Sequence, residues 1–64
     1  MTLGNFLKLI VDKDIRIKLE VTTDTTTFDT CFYLNDFNYN SYYADKEVKS
    51  ISVYNPRYDL VIKI

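Results

Sequence analysis

The amino-acid sequence predicts an α+β fold in which a short N-terminal helix packs on a four-stranded antiparallel β-meander, in the order α-β-β-β-β. Three observations predict this fold. Apolar residues recur at helical spacing near the start of the chain, a strict alternation of apolar and charged residues follows, and three more segments have strand composition. Because sequential strands usually pair as neighbours, we expect residues 1–64 to form a single domain.

The predicted helix begins at Leu3, because the Thr2 side chain can accept a hydrogen bond from a backbone N–H of the first turn. Apolar residues then follow the i, i+3, i+4, i+7 spacing of one helical face: Leu3, Phe6, Leu7 and Ile10. A helix of about nine residues is too short to be stable alone, so it must lie on the sheet.

The first two predicted strands surround a threonine-rich turn near Asp24. Residues 15–21 alternate between apolar and charged side chains, which indicates one buried face and one solvated face. Residues 28–34 form the second strand, and its inward face is predicted to carry Phe28, Thr30, Phe32 and Leu34. We interpret Cys31, on the other face, as a small apolar strand residue.

The last two predicted strands span residues 47–54 and 58–64 and are joined by a turn at Pro56. Tyr54 and Tyr58 flank this turn and could pair across it. In the fourth strand, Tyr58 is expected to share one face with Leu60, Ile62 and Ile64. Because Val61 lies on the other face, this strand is apolar on both faces.

That composition is unusual for the edge strand of a meander, because exposed apolar edges promote association. Either the fourth strand lies inside the sheet, or it pairs with another chain. Pairing with its own copy would give a homodimer with a continuous sheet. A homodimer is also expected because a core this small supplies only roughly 3–5 kcal/mol of stability.

The composition excludes the common catalytic and metal sites. The chain has no histidine, one cysteine and one glycine, so it lacks zinc ligand sets, an intrachain disulfide and a glycine-rich phosphate loop. The pairs Asp12 with Asp14 and Asp36 with Asp45 lack the ligand number of a calcium loop. We therefore expect no enzyme, no metal and no cofactor, with a cryptic metal-dependent hydrolase as a minor alternative.

The charge is nearly balanced, with a formal net charge of −1 and no polybasic or acidic segment. DNA affinity depends on the neutralisation of phosphates by Lys and Arg, and a chain with this charge balance is poorly equipped for it. The start of the chain has no signal-peptide pattern, and no apolar stretch is long enough to cross a membrane. We therefore expect a cytoplasmic protein without a membrane partner.

The segment from Asn35 to Asp45 has no period of either kind and mixes aromatic residues with Asn, Ser and Asp. Such mixtures are typical of binding loops, where tyrosine provides large contact area at low entropic cost. The predicted partner-binding residues are Phe37, Tyr39, Tyr42, Tyr43, Asp36 and Asp45. The alternative is that two or three of these aromatic side chains fold back and cap the small core.

The opening segment 2–10, the alternating strand 14–21, and the segments 45–53 and 60–64 resemble small proteins of bacteriophages and related mobile elements. Those proteins often combine a short helix, alternating strands and a closing hairpin, and several inhibit bacterial defence, including anti-CRISPR proteins. The resemblance implies a phage protein that binds and inhibits or modulates a host protein or ribonucleoprotein complex in the host cytoplasm. The alternative is a small oligomeric sheet protein that binds or alters single-stranded or supercoiled DNA.

Overall fold

One short helix and one four-stranded sheet form the regular structure of residues 1–53 and 56–64, which are the residues that the computed structural model describes. The α+β class is therefore confirmed. The elements are α1 (Leu3–Lys8), β1 (Arg16–Thr22), β2 (Thr27–Tyr33), β3 (Ser50–Ser52), β4 (Leu60–Lys63) and two 3₁₀ turns, Leu34–Asp36 and Tyr42–Asp45.

The sheet is mixed, so the predicted antiparallel meander is wrong. Its strand order is β2-β1-β4-β3, in which β1 is antiparallel to β2 but parallel to β4, and β4 is antiparallel to β3. The physical reason is the composition of β4, which is apolar on both faces. Between β1 and β3, Ile62 is fully buried and Val61 is only 9% exposed on the opposite face.

The predicted self-association edge is corrected by this strand order. Both backbone edges of β4 are already paired within the chain, so this strand has no free edge for a second copy. Of the two alternatives for the fourth strand, the structure shows the interior position. The residues concerned are Leu60, Val61, Ile62 and Ile64, the last of which follows the strand and is buried.

The third strand is shorter than the predicted span of 47–54. Its N-terminal part pairs with the start of the chain instead, because Val48 N donates to Met1 O (3.0 Å) and Leu3 N donates to Lys46 O (2.8 Å). Only Ser50–Ser52 belongs to the sheet. Tyr54, which we expected to pair with Tyr58 across the last turn, lies outside the described residues.

The hairpin of β1 and β2 follows the predicted alternation. Ile17, Leu19 and Val21 are buried, and their partners across the hairpin are Phe32, Thr30 and Phe28. The turn near Asp24 is confirmed by a hydrogen bond from Thr23 N to Thr26 O (2.8 Å). The inward face of β2 is thus on the predicted side, although its edge position leaves Phe28 39% exposed.

Helix α1 lies on the core face of the sheet, which is the face that carries Ile17, Leu19 and Ile62. Thr2 is the predicted N-cap, since its Oγ1 accepts a hydrogen bond from Asn5 N (3.2 Å). The helix ends at Lys8, earlier than predicted, where Lys13 Nζ donates to the carbonyl of Leu7 (3.3 Å).

Gly4 allows the helix to approach the second 3₁₀ turn. A Cβ atom at this position would lie 3.2 Å from the Ala44 carbonyl oxygen and 3.4 Å from the Ala44 Cβ. Ala44 is itself buried, so the small side chains at both positions set the distance between the two elements. This contact holds the segment that follows Asn35 against the core.

Candidate functional site

The predicted partner-binding residues are divided between the core and the surface. Phe37, Tyr39 and Tyr43 are half-buried and pack against the core, so the core-capping alternative describes these three side chains. Tyr42 is 66% exposed. The two predicted carboxylates, Asp36 and Asp45, are exposed in the two 3₁₀ turns.

Phe37 is the centre of one group of stacked rings. Its ring centroid lies 5.3 Å from that of Phe32 on β2 and 5.0 Å from that of Tyr39, in an edge-to-face arrangement with Tyr39. Lys8 Nζ lies 5.6 Å from the centroid of the Tyr39 ring. These contacts close the core beneath the loop, as aromatic pairs of this geometry stabilise packing.

Tyr43 is the centre of a second group of rings, and this group leads to the surface. Its centroid lies 6.5 Å from that of Phe28 on β2 and 5.7 Å from that of Tyr42, both in edge-to-face arrangements. Sequence reasoning placed Phe28 in the core and missed its contact with the loop. No local pattern could show it, because the two segments meet only through the fold.

Lys46 holds the exposed ring of Tyr42. Its Nζ lies 4.4 Å from the Tyr42 ring centroid, which is a cation–π distance. Within residues 1–53 and 56–64, Lys46 has no ion pair with a carboxylate. Tyr42 is therefore fixed from one side by Tyr43 and from another by Lys46, while two-thirds of its surface stays in solvent.

A cleft of about 210 Å³ lies beside Tyr42 and Lys46, where the end of β1 meets the end of β4. This volume is below the roughly 300–1,000 Å³ of small-molecule pockets, and it suits one amino-acid side chain. Thr22 N donates to Ile64 O (3.2 Å) at this end of the sheet. The lining residues are Val21, Thr22, Thr23, Asp24, Tyr42, Lys46 and Ile64.

The opposite face of the sheet, which we call the open face, carries Cys31. Cys31 is on the predicted face of β2, opposite to that of Phe28 and Phe32, and its side chain is exposed because β2 is an edge strand. Its Sγ donates a hydrogen bond to Tyr58 Oη (3.2 Å). Tyr58 therefore reaches toward the open face instead of sharing the core face of Leu60, since it precedes β4 and does not follow the alternation of that strand.

The contact with Cys31 also changes the acidity of Tyr58. Its hydrogen-bonding contact with the Cys31 side chain favours the protonated hydroxyl, and Coulombic repulsion from the same side chain adds to this effect, so the pKa of Tyr58 is raised above its ordinary value of 10.0. The nearby charges of Arg57 and Lys18 oppose this shift. At neutral pH the Tyr58 hydroxyl is therefore protonated and serves as a hydrogen-bonding group.

Two lysines of the open face, Lys18 and Lys63, are paired with carboxylates. Lys18 Nζ lies 3.5 Å from Asp29 and 3.8 Å from Glu20, and Lys63 Nζ lies 3.8 Å from Glu20. At the start of β1, the Arg16 backbone N–H donates a hydrogen bond to Asp59 Oδ2 (2.7 Å). Such pairing weakens the attraction of this face for phosphate groups.

Within the described parts of the chain, no three Cys, Asp or Glu side chains gather as a group that could hold a metal ion. In the same residues, no helix has the length and apolar character needed to cross a membrane. Comparisons of the chain with models of known protein families, with curated proteins and with solved structures gave no match.

Proposed function

We propose that this chain binds another protein, and thereby inhibits or modulates a host macromolecular complex, through a surface centred on Tyr42. We call it the Tyr42 surface, and it consists of Tyr42, Lys46, Thr22, Thr23 and Asp24. The observation that carries the proposal is that Tyr42 is 66% exposed while its ring is held by Tyr43 and Lys46 beside an open cleft.

A fixed, exposed tyrosine is well suited to anchor a protein partner. Binding must offset the entropy lost when side chains are immobilised, and a ring already held by its neighbours loses less. Tyrosine is also one of the residues that dominate the binding free energy at protein interfaces. The 3₁₀ turn holds Tyr42 in place, because Tyr43 and Ala44, the next two residues of the same turn, pack inward.

The cleft indicates the chemistry of the partner. It has room for one side chain, and its lining includes the apolar residues Val21 and Ile64 and the opposite charges of Lys46 and Asp24. A carboxylate of the partner would be attracted by the Lys46 ammonium, while the threonine hydroxyls could accept or donate hydrogen bonds. We infer that the partner inserts an acidic or hydroxyl-bearing side chain next to an apolar patch that covers Tyr42.

The identification of the partner as a host complex is supported by sequence pattern. The opening helix, the alternating first strand and the two late strands give the resemblance to phage inhibitors of bacterial defence. Anti-CRISPR-like inhibition is a form of protein binding, and it requires a stable contact surface without requiring chemistry. The Tyr42 surface provides such a contact.

The test compares two single substitutions at tyrosines of similar exposure. Tagged wild-type chain, Tyr42→Ala and Tyr33→Ala are used to capture proteins from bacterial lysate, and the affinity for the captured complex is then measured. Tyr33 is 52% exposed on the open face, so its substitution removes a ring of the same kind from a different surface. Circular dichroism establishes that both variants are folded.

We expect Tyr42→Ala to weaken the captured interaction by about 30-fold, which corresponds to a hot-spot loss of about 2 kcal/mol. Tyr33→Ala should bind as the wild type does, and Lys46→Glu should weaken binding more than Lys46→Arg. Binding that is unchanged in Tyr42→Ala would refute the proposal. So would a sole interaction with single-stranded DNA that weakens steeply with salt.

A further inference from the structure

The two edges of the sheet differ in how they are protected. Edge strands normally avoid pairing with other chains by being short, by carrying lysine or proline, or by containing a bulge. The β3 edge has only three residues and follows Lys49. The β2 edge has seven residues, contains no lysine or proline, and pairs with β1 through an uninterrupted register from Thr27 to Tyr33.

Backbone groups of β2 point outward along this edge. In an antiparallel pair, hydrogen-bonded and non-hydrogen-bonded residue pairs alternate, and the phase here is set by the bonds Thr23 N to Thr26 O and Leu34 N to Ile15 O. The residues bonded to β1 are therefore Phe28, Thr30 and Phe32. The residues whose N–H and C=O groups point away from β1 are Thr27, Asp29, Cys31 and Tyr33. Within residues 1–53 and 56–64, no strand pairs with this edge.

We propose that the outer edge of β2 pairs antiparallel with β2 of a second copy of this chain, about a two-fold axis at Thr30. This arrangement would join the two four-stranded sheets into one continuous sheet, with an interface in which the same patch is used twice. It would leave β4 in the interior of each sheet. The proposal does not depend on the Tyr42 surface, whose residues lie at the end of β1, in the turn that follows it, and at the second 3₁₀ turn, and not on β2.

The aromatic residues of β2 match each other under this symmetry. An axis at Thr30 places Phe28 opposite Phe32 of the second copy, and Phe32 opposite Phe28 of the second copy. These would be non-hydrogen-bonded pairs, in which opposing side chains approach most closely. Phe28, which is 39% exposed, would be covered by an aromatic partner, and such cross-strand pairs stabilise sheets.

The single charge on β2 selects the same axis. With the axis at Thr30, Asp29 lies opposite Cys31 of the second copy, and every outward-pointing residue of the strand has a partner. An axis at Asp29 would place two carboxylates directly opposite each other, which is destabilising. An axis at Cys31 would leave Thr27 opposite the 3₁₀ turn that starts at Leu34.

A second copy satisfies the chemistry of this edge without further requirements. The occupant must avoid an acidic residue opposite Asp29, and it should place an apolar side chain where it covers the exposed part of Phe28. The chain's own β2 does both, and Lys18 lies 3.5 Å from Asp29 within each copy. A domain of 64 residues also gains from doubling its buried surface, because its own core is small.

Disulfide trapping tests the axis directly. In a Cys31→Ser background, Thr30→Cys would place two thiols opposite each other, with Cα atoms about 4.5 Å apart. This distance lies within the roughly 4.4–6.8 Å that disulfides span. We expect rapid formation of a covalent dimer under mild oxidation. Ile51→Cys in the same background is the matched control, since Ile51 is on the same sheet face at the other edge, and it should cross-link only slowly.

Sedimentation of the native chain over a wide range of concentrations supplies the second measurement. We expect a dimer that dissociates on dilution. Thr30→Lys should raise its dissociation constant about tenfold or more, because the substitution would place two ammonium groups opposite each other at the axis. Ile51→Lys should leave dimerisation unchanged, and so should Tyr42→Ala. A chain that is monomeric at every concentration would overturn the proposal. Equal cross-linking of the two cysteine variants, or a dimer broken only by Ile51→Lys, would also overturn it.

Discussion

Ile51 and Ile62 offer a direct test of the strand order. They face each other across the β3–β4 pair and are chemically identical, but Ile62 is fully buried whereas Ile51 is 44% exposed. In a simple meander β3 would be an inner strand and β4 an edge strand, so the two residues would exchange roles. The substitutions Ile62→Val and Ile51→Val therefore distinguish the observed sheet from the one that the sequence predicts.

The expected magnitudes follow from burial. Removing one methylene from a fully buried isoleucine costs about 0.5–1.5 kcal/mol, since both transfer free energy and packing are lost. At a half-exposed edge position the site can relax into solvent, and we expect a loss below about 0.5 kcal/mol. For a domain of this size, about 1 kcal/mol corresponds to roughly 4–8 °C in Tm. Ile62→Val should therefore lower Tm by that amount, and Ile51→Val by less than about 3 °C.

The assay is thermal and urea denaturation followed by circular dichroism, at one fixed protein concentration because self-association shifts Tm. A more severe change extends the test: Ile62→Ala should cost about 2–5 kcal/mol, comparable to the roughly 3–5 kcal/mol that a small core supplies, and should leave the chain largely unfolded. Equal effects of the two valine substitutions, or a larger effect at Ile51, would refute the reasoning.

Two further predictions concern the helix cap and the open face. Thr2→Ala should destabilise the chain by about 0.5–2 kcal/mol because the Asn5 N–H loses its acceptor, while Thr2→Ser should retain most of the stability. Denaturation midpoints of the two variants measure this difference, and equal midpoints would contradict the role of Thr2 as the helix cap. Tyr58 has a raised pKa, so its contribution to stability is complete below pH 10.0 and is lost as the pH rises through the higher folded-state value. The difference in tyrosinate absorbance between the wild type and Tyr58→Phe reports the titration of Tyr58, and its midpoint should lie above pH 10.0. Cys31→Ala should lower this midpoint. A wild-type midpoint at or below pH 10.0 would contradict the contact with Cys31.

Elements with a strong local signal were predictable from the chain. The start of α1 was predicted because Thr2 can cap a helix whose apolar residues share one face. The buried side of β1 was predicted from its alternation, and that of β2 follows because the hairpin places Phe32 opposite Ile17. Each of these features depends on residues close together in the sequence.

The strand order was not predictable in the same way. The composition of β4 showed that both of its faces avoid water, but the choice between an inner position and a partner chain depends on contacts between β1 and β4, more than 40 residues apart. The third strand was overestimated for a related reason. Residues 46–48 could pair either with the sheet or with the N-terminal segment, and their hydrogen bonds with Met1 and Leu3 place them against the N-terminal segment.

By itself, the sequence determined that the chain forms one short helix and several strands, and that the segment after Asn35 is rich in aromatic rings. Only the tertiary structure decided which ring faces solvent. Tyr42 and Tyr43 are adjacent and chemically identical, yet Tyr43 packs beside Phe28 while Tyr42 lies under Lys46 at the cleft. The physical reason is that hydrogen-bonding and periodicity rules act over a few residues, whereas burial depends on which distant segments the sheet brings together.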